Sequence, residues 1–332
     1  MKVVRLHGVA DIRLHDEPKP VPAAGETLLQ VRAVGVCGSD LHWLAEGGIG
    51  DAALVHPLVL GHEFAGTTEA GERVAVDPAI SCGECEMCLA GYPNLCPHVA
   101  FAGHAAQDGA LREFLTWPTK CLHRLPDSLS YADGAMLEPL GVALYATDLG
   151  KIKGGMTVGV FGCGPIGLLI VQLARLSGAT SVIATDTLPH RADAARNFGA
   201  QHAFLAERGE EIDVIRSATG GRGVDVAFEV AGEQSAVEVS FAAAVPAGRV
   251  VLVGIPADDR TSFQASVARR KGLTIKMVRR MKNTYPRAIR LIESGAVDVR
   301  SLVTHCFPLE KTAEAFALAQ KREGLKIVIE PA

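Results

Sequence analysis

Residues 157–176, "TVGVFGCGPIGLLIVQLARL", carry an apolar strand into three glycines, Gly162, Gly164 and Gly167, and on into an apolar helix. This spacing, G-x-G-x-x-G, constrains the fold more than any other stretch. The first glycine makes a tight turn, the second lets a pyrophosphate approach the backbone, and the third lets the helix close on the strand. Pro165 and Ile166 take the first helical positions, where proline's missing N–H is harmless. A second strand, "SVIAT", ends at Asp186, at the distance where a carboxylate meets the ribose hydroxyls of a bound dinucleotide. That carboxylate would repel a 2′-phosphate, which favours NAD over NADP, although the nearby Arg191 is a group able to accept one. The competing reading, a tight turn followed by a chance acid, fits the strand–turn–helix context poorly.

From residue 157 onward, strands and helical patterns alternate through "SVIATD", "RADAARNFGA", "VDVAFEVAG", "SAVEVSFAAAV" and "GRVVLVG", which predicts a parallel sheet covered on both faces. Residues 1–140 read differently. Short alternating strands such as "KVVRLHG", "DIRLHDE", "TLLQVRAVGV", "ERVAVDPAI", "LREFLTW" and "CLHRLP" are separated by Gly and Pro, as in a partly open barrel. After about residue 275 two helices, "YPRAIRLIESGAV" and "LEKTAEAFALAQKR", precede a closing strand, "LKIVIE". The expected class is α/β, a doubly wound domain joined to a β-rich one, and 332 residues suit two domains. No repeat or low-complexity tract is visible.

A net charge of −4, from 33 basic and 37 acidic residues, implies no strong field for nucleic acid or membrane. The opening "MKVVRLHGVADIRLHDEPKP" is broken by charge throughout and has no apolar core for a signal peptide. The longest apolar stretch contains four glycines and a proline, unlike a membrane span. With 8 cysteines and no export signal, metal binding or free thiols are expected rather than disulfides, in the cytoplasm.

"SCGECEMCLAGYPNLC" places Cys82, Cys85, Cys88 and Cys96 on one short loop. Four thiolates so spaced supply the closed tetrahedron of a structural zinc site. An iron–sulfur cluster begins with similar spacing, but the long last gap and the lack of a second cluster argue against it. A second thiol, Cys37 in "GVCGSDLHW", stands at the end of a strand with Ser39, Asp40 and His42 close behind. "LVLGHEFAG" adds His62 and Glu63, and "AMLEPLG" adds Glu138, an acid in apolar surroundings. Cys37, His62 and either Glu63 or Glu138 would give the three protein ligands of a catalytic zinc that keeps one position open. Each residue alone has an ordinary packing or capping role; the combination is what points to a metal.

Taken together, "GVCGSDLHW", "LVLGHE", the four-cysteine loop, "LEPLGVALYA", "GCGPIGL", "TD" at 185–186, "VLVG" at 251–254 and "SLVTHCFPLEKTAEAF" resemble the zinc-dependent medium-chain dehydrogenases, and among them the polyol (sorbitol and xylitol) dehydrogenases. The resemblance implies a GroES-like distorted-barrel catalytic domain over 1–143 and 281–332, a Rossmann NAD-binding domain over 144–280, and an active site in the cleft between them. It implies Cys37, His62 and Glu63 as catalytic zinc ligands and Glu138 as the acid that contacts or replaces water at the metal. Many alcohol dehydrogenases have cysteine at this last position, so glutamate points to the polyol branch. It further implies Ser39 and His42 as a proton relay, with the turn after the strand bringing them beside the metal. Asp40 would orient the ring of His62. Val253 and Gly254 join the cofactor site. The expected cofactors are two zinc ions, one catalytic and one structural, and NAD. The expected assembly is a homotetramer or homodimer.

For the substrate, the resemblance places Trp43, Phe101 and His104 along the pocket, where packing is an equal reading. Arg279 matches an arginine that contacts substrate hydroxyls. Arg280 stands where many members have an aromatic residue, which brings in an anionic substrate and an aldonate 5-dehydrogenase of the L-idonate kind beside sorbitol or xylitol oxidation. Threonine and simple alcohol dehydrogenases share most of the motifs. The basic run "ARRKGLTIKMVRRMK" lacks the aromatic interleaving of a nucleic-acid surface. A non-catalytic NAD-binding module would lack the catalytic ligands, and all are present.

Overall fold

The computed structural model describes residues 1–207 and 209–331. Two compact units emerge, one made of Met1–Pro139 together with the chain from Lys282 onward, the other of Leu140–Met281.

The first unit is built on a seven-stranded sheet. Its path runs Leu122–Arg124, Arg73–Val76, Glu63–Thr68, Glu26–Gly35, Lys326–Glu330 and Val303–Pro308, with Phe114–Pro118 also paired to Glu26–Gly35. The long strand Glu26–Gly35 is central because its side chains are mostly apolar and its inner positions fully buried. A register shift between Val31 and Ala33 inserts one extra residue against Glu63–Thr68, so that Gly35 faces Glu63. Side chains alternate across a strand, so that single insertion decides which of them face each other. The core beneath includes Trp43, Phe64 and Trp117, the last two edge to face at 6.0 Å between ring centroids.

Two expectations are corrected in this unit. The residues after Cys37 form not a turn but a helix, Gly38–Glu46, with Cys37 as its N-cap in extended conformation. Asp40 makes this possible: its Oδ2 accepts the Cys37 N–H at 2.9 Å, satisfying an otherwise orphaned donor of the first turn. The C-terminal stretch also holds a strand, Val303–Pro308, that the two-helix reading passed over. It pairs in parallel with Lys326–Glu330 across the helix Thr312–Gln320.

The second unit is a six-stranded sheet in the order His202–Leu205, Ser181–Asp186, Thr157–Phe161, Val224–Glu229, Ala244–Leu252 and Thr274–Met277. All its pairings are parallel. The order reverses direction at Thr157–Phe161, the doubly wound arrangement in which ligands bind at the carboxyl ends of the strands. The helix Pro165–Leu176 follows that strand, and all but its ends are buried. Gly162 has φ +106°, and a Cβ there would meet the Ala231 nitrogen at 2.8 Å; a Cβ on Gly167 would lie 1.9 Å from the Gly162 carbonyl oxygen. Both positions therefore require glycine. Among the described residues no helix is long and apolar enough to cross a membrane.

Candidate active site and metal centres

The four cysteines of the loop come together. Sγ–Sγ separations are 3.5 Å for Cys82–Cys96, 3.8 Å for Cys85–Cys96 and 3.9 Å for Cys82–Cys88. Sulfurs at the corners of a tetrahedron with zinc–sulfur bonds of ~2.3 Å sit roughly 3.8 Å apart, so the set fits that ion. Backbone N–H groups of Glu84 and Cys85 hold the Cys82 thiol down to about 6, which favours the thiolate that a metal needs. All eight cysteines are free thiols.

Cys37, His62 and Glu63 form a second group, with ligand atoms all within 4.8 Å of one another. Two strand ends place them. Cys37 follows the central strand, and His62 and Glu63 lead into the neighbouring one. His62 and Glu63 are buried. Asp40, itself 1% exposed, aims Oδ1 at the Nδ1 of His62 at 3.5 Å. Burial opposes charge on the His62 ring, yet Asp40 and Cys37 together raise its pKa well above the ordinary imidazole value. With Nδ1 turned to Asp40, Nε2 is the nitrogen left for a metal. Ser39 Oγ lies 3.4 Å from that same Nε2. His42 sits one helical turn beyond Ser39, its Nδ1 3.0 Å from Glu46 Oε1 at the protein surface.

Glu138, in the first turn of the helix Leu137–Gly150, is 5% exposed. It lies outside the group of three. Burial, reinforced by the charge of Glu63 and opposed by His62 and Lys326, pushes its carboxyl up to about 7. A soft thiolate, an imidazole and a carboxylate form a donor set suited to zinc and poor for magnesium or calcium.

Lys326 was invisible to the sequence reading. It is 3% exposed, and its Nζ forms an ion pair with Glu63 Oε2. A lysine opening an apolar run, "LKIVIE", looks like an ordinary flanking charge. Only the pairing of the last strand with the central one brings it to the metal group.

Around this centre, Phe101 packs against the His62 ring at 5.3 Å between centroids, and His104 meets Trp43 edge-on at 5.6 Å. Trp43 is a core residue, 1% exposed. Arg279 and Arg280 belong to the second unit, after its last strand, and Arg280 has φ +53°.

In the second unit the glycine turn and the acid meet. Asp186 Oδ2 accepts the Cys163 N–H at 2.7 Å, and Oδ1 accepts that of Leu188 at 2.9 Å. A Cβ on Gly164 would find only the Arg191 guanidinium, 3.8 Å away, so this face stays open to a ligand beside a positive charge. Pro165 and Ile166 start the helix whose N–H groups point at that opening. Val253 and Gly254 leave the fifth strand of the sheet, both donating to the Glu229 carbonyl, at 2.8 and 3.2 Å. The fit is that of a dinucleotide.

Comparison with known proteins agrees with both halves. The alcohol dehydrogenase GroES-like domain family matches residues 23–127, and the zinc-binding dehydrogenase family matches residues 165–294. The chain is 36% identical to a sorbitol dehydrogenase of Bacillus subtilis, covering 100% of this chain and 97% of that one. Among solved structures, it superposes with TM-score 0.94 on an Escherichia coli oxidoreductase/dehydrogenase of unknown specificity, 31% identical over 100% and 99% of the two chains. It superposes with TM-score 0.89 on L-idonate 5-dehydrogenase of E. coli, 25% identical over 99% and 98%. The chain thus belongs to the zinc-dependent medium-chain dehydrogenases, as a polyol dehydrogenase-like, NAD-dependent oxidoreductase of alcohols.

Proposed function

We propose that this enzyme oxidises a secondary hydroxyl of a sorbitol- or xylitol-type polyol to the ketose, with hydride passing to NAD. The observation that carries the reading is the Cys37–His62–Glu63 group, its imidazole and carboxylate buried, with Glu138 as a further buried acid near it. These residues would hold the catalytic zinc, and Cys82, Cys85, Cys88 and Cys96 the structural one. Bound by Cys37, His62 and Glu63, zinc supplies Lewis acidity that lowers the pKa of a substrate hydroxyl.

The chain's own groups do the rest. Ser39 accepts the hydroxyl proton beside the metal-facing nitrogen of His62 and passes its own proton to His42. Three residues apart on one helix, they share a face, and His42 reaches solvent beside Glu46. Asp40 keeps His62 in the tautomer that presents Nε2. Asp186 has lone pairs left for the ribose diol after its two backbone contacts, and the N–H groups of Gly164 and Ile166 face the pyrophosphate, with Pro165, which has no N–H, starting the helix between them and Arg191 beside them. Val253 and Gly254 complete the cofactor site. Phe101 and His104 shape the substrate pocket, Trp43 supports His104 from the core, and Arg279 binds substrate hydroxyls. The family resemblance extends this reading to a cytoplasmic homotetramer or homodimer.

A second reading, oxidation of a sugar acid, is favoured by Arg280, a fixed positive charge well suited to a carboxylate. NAD reduction screened over sorbitol, xylitol, L-idonate, threonine and simple alcohols, with and without a zinc chelator, tests both. The expected result is highest kcat/KM on a polyol, abolished by chelation. Preference for idonate would establish the second reading, and activity indifferent to chelation would overturn both.

A further inference from the structure

We propose that Lys326 is a positioning residue that fixes the Glu63 carboxylate for the catalytic metal, acting across a gap that Gly35 leaves in the central strand. The inference rests on the reading of Cys37, His62 and Glu63 as a zinc site. Gly35 stands directly opposite Glu63 on one side and Val328 on the other, so it lies between the strands that carry the two charges. Lys326 is two residues from Val328, hence on the same face. A Cβ on Gly35 would lie 2.0 Å from Glu63 Oε2 and 3.0 Å from Lys326 Cε. Any other residue at position 35 would displace the carboxylate or the lysine stem. The missing side chain is what lets acid and base reach each other over the middle strand.

Both partners are buried, Glu63 at 1% and Lys326 at 3% exposure. An ammonium is not placed in such surroundings without a partner, since a lone buried charge loses its hydration with nothing to replace it. With Oε2 committed to Lys326, the carboxylate plane is fixed and Oε1 is left for a cation. Lysine also offsets the charge of the buried Glu63 carboxylate, so that acid can be held in place before metal arrives. Groups that orient a ligand from behind typically change metal affinity 10–100-fold.

The test counts zinc per chain in the full-length enzyme and measures zinc retention against a graded chelator, for the wild type and for Lys326→Met, Lys326→Arg and Gly35→Ala. The wild type is expected to hold zinc at both sites. Lys326→Met should bind the catalytic ion roughly 10–100-fold more weakly while keeping the four-cysteine ion, which also reports that the fold survives. Lys326→Arg should recover most of the loss, and Gly35→Ala should reproduce it with every charge intact. Unchanged chelator competition in Lys326→Met overturns the inference; should that variant not fold, unchanged competition in Gly35→Ala does so. A wild type holding only the four-cysteine ion would overturn the catalytic-metal reading itself, and this inference with it.

Discussion

Asp40 holds both ends of the metal group: one oxygen lies 3.5 Å from His62 Nδ1 while the other accepts the Cys37 N–H at 2.9 Å. A single buried carboxylate thus orients the imidazole and caps the helix that carries the thiolate. Asp40→Asn keeps the shape but weakens both bonds. We expect catalytic zinc affinity to fall about 10–100-fold, with the four-cysteine zinc unaffected. Metal counting under chelator competition checks this; equal loss from both sites would mean general unfolding instead.

Ser39→Ala separates proton transfer from metal binding. The hydroxyl is 3.4 Å from His62 Nε2 but is not among the grouped ligands. Turnover at neutral pH should drop roughly 10²-fold or more, as for the loss of a proton-transfer group, with zinc content unchanged. A parallel loss of metal and activity would remove Ser39 from the relay.

Asp186 is expected to decide between the two nicotinamide cofactors. Its charge sits beside the glycine turn, where a 2′-phosphate would add a like charge. Asp186→Ser should lower kcat/KM with NAD about 10-fold or more and raise it with NADP, aided by Arg191. Rates measured with each cofactor at fixed substrate check the prediction, and an unchanged ratio would contradict it.

Asp108 gives a pH signature away from any metal. It accepts from Arg5 at 3.0 Å, from Arg112 at 2.6 Å and from the Val59 N–H at 3.0 Å. Burial works to raise its pKa, but the Val59 N–H and the two guanidinium groups lower it below the ordinary carboxylate value. A depressed acid contributes stability that is present above its unfolded value, about 3.9, and is lost as pH falls through the folded one. Asp108→Asn should therefore cost roughly 1–3 kcal/mol at pH 7. The gap from wild type should narrow below about pH 4. Urea unfolding of both proteins at pH 7, 5 and 3.5 measures it.

Much of the site could be read in one dimension because its chemistry is written in short spacings. The four cysteines, the three glycines with Asp186 beyond them, and the adjacent His62 and Glu63 each lie within a single loop or supersecondary unit, where local geometry fixes what can meet. The parallel sheet was legible for the same reason, since its strands alternate regularly with its helices. Tertiary structure decided what those pieces do to one another. The helix after Cys37 depends on a cap supplied by Asp40, which also answers to His62, just ahead of the neighbouring strand. The strand Val303–Pro308 forms only because Lys326–Glu330 is there to pair with it. Lys326 reaches Glu63 only because one inserted residue in the central strand sets Gly35 opposite the acid. Sequence alone named the candidate donors for a metal; strand register, which depends on pairing between the two ends of the chain, settled how they are held.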